Sequence, residues 1–569
     1  MVGAVPHAAG ACRALLRGQP PARVPERAAA PLCHIDRARH PAGGAGLYVG
    51  RHRPRGGSGA RRSAGSGHHL HPTGARAASG PCRALGAAYR AQTRTKGAVM
   101  ERIETDLCVI GAGSGGLSVA AGAAQMGARV VLVEAGDMGG DCLNAGCVPS
   151  KALLAAAKAA QAMRTVGPLG IRPVEPEIDF AAVKDHVART IAAIAPHDSQ
   201  ERFEGLGVRV LRDWGRFVSP AELRVGERTV TARRFVIATG SRPVVPSIPG
   251  IDRVEVLTNE TIFALRERPE HLVIIGGGPV GIEMAQAHGR LGVRVTVIAG
   301  HKALPKDDPE LSAIVLGRLR AEGVEILEGA SAAAVDPCPE GIAVTAGDRR
   351  IVGSHLLVAA GRRPALERLD PAAAGVEVTA KGVKVGPDLR TSNRRVYAVG
   401  DAAGGLQFTH LAGYHASVVI RSILFGLPSK AAALIPHVTY TEPELAQIGL
   451  TEAEARERHG ARLEVLRVPV SGSDRAQAEG ATEGLVKLMV ARGRPVGVSI
   501  AAPHAGEMIG LWAMALASGA KLSTVAGVVL PYPTLNELSK RAAGAYFSPR
   551  LFDSRLVGTA VRTLQRLLP

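Results

Sequence analysis

Residues 104–116 read Glu104-Thr105-Asp106-Leu107-Cys108-Val109-Ile110-Gly111-Ala112-Gly113-Ser114-Gly115-Gly116, an apolar run that closes on a glycine-rich turn. The run predicts a buried strand. The Ala-rich segment after it predicts a helix ending near Gly127, and Arg129–Val133 predicts a second strand closing on Glu134. This order suits a dinucleotide: glycines let the backbone approach a pyrophosphate, the helix N-terminus offers N–H groups, and the carboxylate accepts ribose hydroxyls. Gly111, Gly113, Gly116 and Glu134 are therefore expected contacts. The pattern recurs as a strand at His271–Ile275, then Gly276-Gly277-Gly278-Pro279-Val280-Gly281, a helix, and a strand at Val293–Ile298. Gly276, Gly278 and Gly281 form the second set. One such motif is weak evidence, whereas two in the same context are strong. The expected class is α/β with two Rossmann-like domains holding two nucleotides.

Aligned without a gap, Glu134 lies 23 residues after Gly111, and the matching position after Gly276 is Ala299, followed by Gly300, His301 and Lys302. A carboxylate about 4 Å from a ribose phosphate repels it by roughly 4 kcal/mol at an effective dielectric of about 20. The second site lacks that repulsion and carries positive charge at His301 and Lys302, which favours NADPH over NADH.

Cys142 stands 31 residues beyond Gly111, in the run Gly140-Asp141-Cys142-Leu143-Asn144-Ala145-Gly146-Cys147-Val148-Pro149-Ser150-Lys151. Two residues five apart on an ideal helix are separated by about 7.5 Å of rise. A disulfide needs Cα atoms within about 7 Å, so a bridge requires a distorted turn. Asn144 and Gly146 tolerate unusual backbone angles, and a strained bridge is readily reduced, as a catalytic one must be. The alternatives are zinc and two inert buried thiols. Zinc needs a second matching pair, but Cys12, Cys33, Cys82, Cys108 and Cys338 are isolated. No metal is expected.

The chain of 569 residues is long enough for three or four domains. Its net charge of +19 would suggest nucleic acid, but residues 1–99 carry 16 Lys and Arg against Glu26 and Asp36, a balance of +14 that leaves +5 for the remaining 470. The body is nearly neutral, so nucleic-acid binding is not expected of it. The tail is rich in Arg, Gly, Ala, Pro and His, without hydrophobic periodicity, and is expected to be disordered. It reads as a transit peptide, a polyanion-binding arm, or sequence upstream of a start at Met100. The last is favoured because a strand and fingerprint begin directly after Met100. No apolar stretch reaches about 18 residues, so a soluble, cytoplasmic protein is expected.

Together these motifs resemble the pyridine nucleotide-disulfide oxidoreductases, the flavoprotein family that contains dihydrolipoamide dehydrogenase, glutathione reductase and mercuric reductase. The resemblance runs from about Glu101 to about Gly544. It extends to Ala238-Thr239-Gly240-Ser241-Arg242-Pro243, Gly361-Arg362-Arg363-Pro364, Val396-Tyr397-Ala398-Val399-Gly400-Asp401 and Tyr440-Thr441-Glu442-Pro443-Glu444. It implies an FAD domain in two segments (100–247 and 369–433), an NAD(P) domain (248–368), an α+β dimerisation domain (434–550) and a homodimer whose sites are completed by the partner subunit. An amphipathic segment, 551–569, follows. The resemblance also implies that Cys142 meets substrate and that Cys147 is the thiolate against the flavin. Lys151 would pair with Glu283 beside the flavin. Thr239, Gly240, Ser241, Gly361, Asp401, Thr409 and His410 would hold or adjoin the cofactor.

The chain departs from the family at Pro531-Tyr532-Pro533-Thr534-Leu535-Asn536-Glu537, where Tyr532 replaces a histidine that serves as acid-base. A phenol of pKa about 10 is a poor base at neutral pH, and its loss costs roughly 10² to 10⁴ in rate. Glu537 remains, able to bind Tyr532; His437 and His504 are possible replacements. Mercuric reductases also have a Pro-Tyr here, but they usually end in a vicinal Cys pair, whereas this chain ends Leu564-Gln565-Arg566-Leu567-Leu568-Pro569. In its place Phe552, Leu556, Ala560, Leu564 and Leu568 recur at helical spacing, expected to pack on the protein itself, with weak contact to a membrane surface as the alternative.

The expected activity is therefore an FAD-dependent NAD(P)H oxidoreductase, mercuric-reductase-like, passing electrons through Cys142–Cys147 to a soft metal ion, a quinone or a disulfide. Dihydrolipoamide dehydrogenase is the second reading, and a redox-sensing flavoprotein scaffold the third.

Overall fold

The computed structural model describes residues 101–568. The expectations for residues 1–99 lie outside them. Strands β1 (Glu101–Ile110), β2 (Val130–Val133), β3 (Val208–Leu211), β4 (Gly215–Ser219), β5 (Glu222–Val225) and β6 (Arg228–Ile237) form a sheet in the order β3-β2-β1-β6-β5-β4. The late strand Val396–Ala398 pairs parallel with β6. β2 is buried along its whole length, as a parallel strand covered on both faces must be, which explains its unbroken Val-Val-Leu-Val composition. Helix α1 (Ser114–Gln125) follows β1 and packs against the long helix that begins at Thr409.

A second parallel sheet holds β7 (Val256–Leu257), β8 (His271–Ile275), β9 (Arg294–Ala299), β10 (Glu325–Glu328) and β11 (His355–Val358), in the order β10-β9-β8-β11-β7. A third, antiparallel sheet spans His437–Ala502, its core including the buried Trp512, whose indole N–H donates to Ser539 Oγ at 3.0 Å. Buried ion pairs fasten it to the second sheet's elements. Lys487 Nζ lies 2.9 Å from both Asp308 and Glu310, and Arg290 reaches Glu322 and Glu442 at 2.7 and 2.6 Å.

The end of the chain differs from expectation. Ser554 accepts a hydrogen bond from Val557 N and starts a new helix, Arg555–Leu567, so Phe552 belongs to the preceding short helix Ser548–Phe552. No residue of Arg555–Leu567 is buried, and its packing on the described residues is chiefly against the short helix before it, less than the expected docking of its apolar face. No described helix is long and apolar enough to cross a membrane.

Candidate active site

The two glycine turns are built alike. Gly111 and Gly276 have φ of 106° and 128°, and a Cβ on either would stand 2.3 or 2.2 Å from the carbonyl oxygen of Ala238 or Ala359. A Cβ on Gly116 or Gly281 would meet the Gly111 or Gly276 carbonyl at 1.8 or 2.0 Å. The middle glycines differ: Gly113 has its nearest neighbour at 4.0 Å and Gly278 has none within 4 Å. The outer glycines thus lock each strand-helix turn, and the middle one keeps open the space a pyrophosphate needs.

The first cradle fits FAD. Glu134, at the end of β2, accepts from Ala112 N at 2.6 Å and Gly136 N at 2.7 Å, which fixes its carboxylate beside the turn. Ser241 Oγ donates to Asp401 at 2.6 Å, and burial raises the Asp401 carboxyl. Thr239 Oγ1 is buried without a hydrogen-bond partner, a free polar atom in the Ala238–Gly240 turn. Gly361 has φ of 126°, on the loop after β11. In the second cradle His301 and Lys302 are exposed. Glu328, from β10, accepts from Ala303 N at 2.9 Å and pairs with Arg320 at 2.6 Å. This loop therefore carries a carboxylate that no feature of the glycine turn announces, already matched by a guanidinium.

Cys142 lies in the short helix Gly140–Asn144, and Cys147 opens the long helix Cys147–Thr165. Gly146 breaks them apart with φ of −128° and ψ of −111°, and a Cβ there would stand 2.8 Å from Asp141 O. The distortion the spacing demands thus falls on Gly146. Asn144 stays helical and acts through its amide, which donates to Met138 O and Gly140 O at 3.0 and 2.9 Å. Both cysteines are free thiols. Cys147 is held below the ordinary thiol range by the neighbouring Cys142 thiol, against the opposing effect of burial, and then by Thr409 Oγ1 at 3.4 Å and the charge of Lys151; the Cys142 thiol is pushed up by the same partnership. One sulfur is thus poised as nucleophile and its neighbour as proton donor.

Lys151 Nζ meets Glu283 Oε2 at 2.9 Å, across 132 residues, and sits 4.3 Å from the centre of the Tyr440 ring. Glu283 is buried on the helix Pro279–Arg290, and its other oxygen accepts from Tyr440 N at 2.9 Å. This joins the cysteine helix, the second cradle's helix and the third domain. Two further residues are not among those expected from sequence. Asn259 donates to Asp141 Oδ1 and Ala145 O at 2.9 and 3.0 Å and accepts from Arg362 at 3.1 Å; Arg362 also binds Ser241. Asp141, Asn259, Arg362, Ser241 and Asp401 thus form one polar chain. No local pattern marks Asn259.

Tyr532 corrects an expectation. Its hydroxyl donates to Asp474 at 2.7 Å, which raises the phenol above its ordinary pKa, and it makes no bond to Glu537. Glu537 Oε2 is buried and unpartnered. Asp474 competes successfully because it opens a separate short helix beside the Pro531–Thr534 turn, a proximity invisible in sequence. Among the described residues neither Tyr532 nor Glu537 hydrogen-bonds to a cysteine. His410 bonds to Pro436 O at 2.8 Å and His437 to Asp307 at 3.0 Å, while His504 takes φ of 56° at a helix start.

The family model described as pyridine nucleotide-disulphide oxidoreductase matches residues 105–416, and its dimerisation-domain model matches 435–543. Mercuric reductase of Streptomyces lividans is 35% identical over 457 residues, 78% of this chain and 96% of that one. Dihydrolipoyl dehydrogenase of Bacillus subtilis is 34% identical over 456 residues, with the same 78% and 96% shares. Of solved structures, the HOCl-induced flavoprotein disulfide reductase RclA of Escherichia coli matches with a TM-score of 0.71 at 27% identity, covering 77% of this chain and 99% of that chain. The chain belongs to the pyridine nucleotide-disulphide oxidoreductases, a family of FAD-dependent enzymes with an NAD(P)H-binding domain.

Proposed function

We propose that this enzyme uses NADPH to keep Cys142–Cys147 reduced and passes the electron pair to an acceptor that needs no imidazole base: a soft metal ion, a quinone or an accessible disulfide. The observation that carries this reading is Tyr532, tied to Asp474 and raised above the ordinary phenol pKa, where a dithiol substrate would need a base. FAD, when bound, supplies the two-electron relay between nicotinamide and sulfur. Cys147 serves as the thiolate and Cys142 as its proton donor; that Cys142 is the sulfur that meets the acceptor rests on the family resemblance. When the thiolate–thiol pair gives up two electrons to the acceptor, the Cys142–Cys147 disulfide forms and the single proton of the Cys142 thiol leaves to solvent or acceptor. Lys151 and Glu283 hold the charge beside this exchange constant. Absence of a ribose-phosphate-repelling carboxylate at Ala299, with Arg320 matching Glu328, supports NADPH. A homodimer through the dimerisation domain accords with the match at 435–543.

The test is steady-state turnover of FAD-loaded protein with NADPH and NADH against Cu(II), Hg(II), menadione, glutathione disulfide and lipoamide. At least one metal or quinone should exceed lipoamide by roughly 10²-fold, the scale of a missing base. Tyr532→His should narrow that gap. Lipoamide as the fastest acceptor of the unmodified enzyme would replace this reading with a dihydrolipoyl dehydrogenase.

A further inference from the structure

The helix Arg555–Leu567 has an apolar face on which no residue is buried, and among the described residues it packs chiefly against the short helix Ser548–Phe552 before it. At about 100° per residue, Leu556, Val557, Ala560, Val561, Leu564 and Leu567 fall within an arc of about 140°, and Arg555, Arg562 and Arg566 fall within about 40° on the opposite side. The segregation is complete. Leu556, Leu564 and Leu567 are 85%, 53% and 75% exposed, and Phe552 in the turn before is 83% exposed.

Charge selects among possible occupants. Residues 554–569 contain three arginines and no acidic residue. None of the three pairs with a carboxylate of the described residues. A second copy would bring the same basic stripe and no acidic one to match it. The family's dimerisation model ends at residue 543, before this helix begins, so the face is not part of that module. At about 1.5 Å per residue the helix is about 20 Å long, too short to span about 30 Å of hydrocarbon but suited to lying along its surface. An apolar face opposed by arginines, without acids, is the composition of an interfacial helix on anionic lipid.

We propose that Arg555–Leu567 binds the surface of an anionic lipid bilayer, its aliphatic face against the acyl chains and its three arginines among the phosphates. The enzyme would thereby be a peripheral membrane protein, independently of which acceptor it reduces. Each arginine near such a surface contributes about 1 kcal/mol, or about fivefold in affinity, so the three together contribute on the order of a hundredfold.

The experiment is co-sedimentation of the FAD-loaded full chain with vesicles of phosphatidylglycerol and phosphatidylcholine in equal parts, and with phosphatidylcholine alone. Every variant retains residues 1–99, so their +14 charge is common to all variants on a given vesicle type and the variant-to-variant comparison isolates the helix. Leu564→Glu should weaken binding to the mixed vesicles at least tenfold, and the triple variant Arg555→Gln, Arg562→Gln, Arg566→Gln by on the order of a hundredfold. Retained flavin absorbance and dimer mass would show that each variant is folded. Unchanged vesicle binding by Leu564→Glu overturns the proposal, as does equal binding to both vesicle types. A Leu564→Glu variant that loses self-association while keeping vesicle affinity would assign the face to a second copy instead.

Discussion

Replacing Lys151 by Met tests whether the cysteine helix and the second cradle's helix are held together by charge. The ammonium lies 2.9 Å from the Glu283 carboxylate, whose side chain is 6% exposed against 36% for Lys151. At that separation the attraction is about 6 kcal/mol at an effective dielectric of about 20, and solvent at the lysine end screens part of it. Removing the cation leaves a buried carboxylate with only the Tyr440 N–H, at a cost of about 3 kcal/mol. Glu283→Gln keeps an acceptor for that N–H and should cost about 1 to 2 kcal/mol. The double variant contains no unpaired charge and should cost less than Lys151→Met alone. Denaturant unfolding of the FAD-loaded single and double variants at pH 7.5 gives the coupling energy, expected to exceed about 1.5 kcal/mol. Additivity within about 0.5 kcal/mol would refute the reasoning and reduce the pair to a surface contact.

Other perturbations follow from the same geometry. Gly116→Ala should lose FAD while retaining fold, and Gly281→Ala should raise KM for NADPH with flavin intact, because the added Cβ would collide with the Gly111 or Gly276 carbonyl; flavin absorbance and steady-state kinetics report each. Lys184 is buried with its ammonium donating to Ile262 O at 3.0 Å, and burial lowers its pKa to about 8. The unfolded value is about 10.4, so between the two the unfolded chain binds more protons, and stability should rise with pH across that window. Lys184→Met should abolish this slope and stabilise the protein at pH 7 by about 2 kcal/mol, after about 1 kcal/mol for the lost hydrogen bond. Thermal unfolding from pH 7 to 10.5 checks both, and an unchanged slope would reject the assignment.

What the sequence revealed depended on how local its cause is. The glycine turns were legible because strand, glycines and helix are contiguous, and Gly116 and Gly281 answer to a carbonyl within their own turn; the carbonyls of Ala238 and Ala359 that crowd Gly111 and Gly276 lie at the ends of distant strands and carry no local signal. That the turn between the cysteines must break was legible from spacing, but Asn144 and Gly146 were equal candidates, and the structure puts the break at Gly146. Lys151 and Glu283 are 132 residues apart and could be paired only through the family resemblance. Asn259, 118 residues from Asp141, and Asp474, 58 residues from Tyr532, carry no local signal, since their partners are chosen by tertiary approach. At the C-terminal helix, periodicity reveals an apolar face without revealing whether a groove exists to receive it.

The central claim is that Cys147 rests as a thiolate in contact with flavin, stabilised by its neighbour at position 142. Cys142→Ser removes the disulfide yet keeps a hydroxyl donor, so visible absorbance of the FAD-loaded variant, titrated from pH 5 to 9 without reductant, isolates it. The account predicts a long-wavelength thiolate-to-flavin band already present at pH 7, fading with a midpoint well below the ordinary thiol value of about 8.5. A variant that binds FAD but lacks the band throughout, or gains it only above that value, would contradict the account.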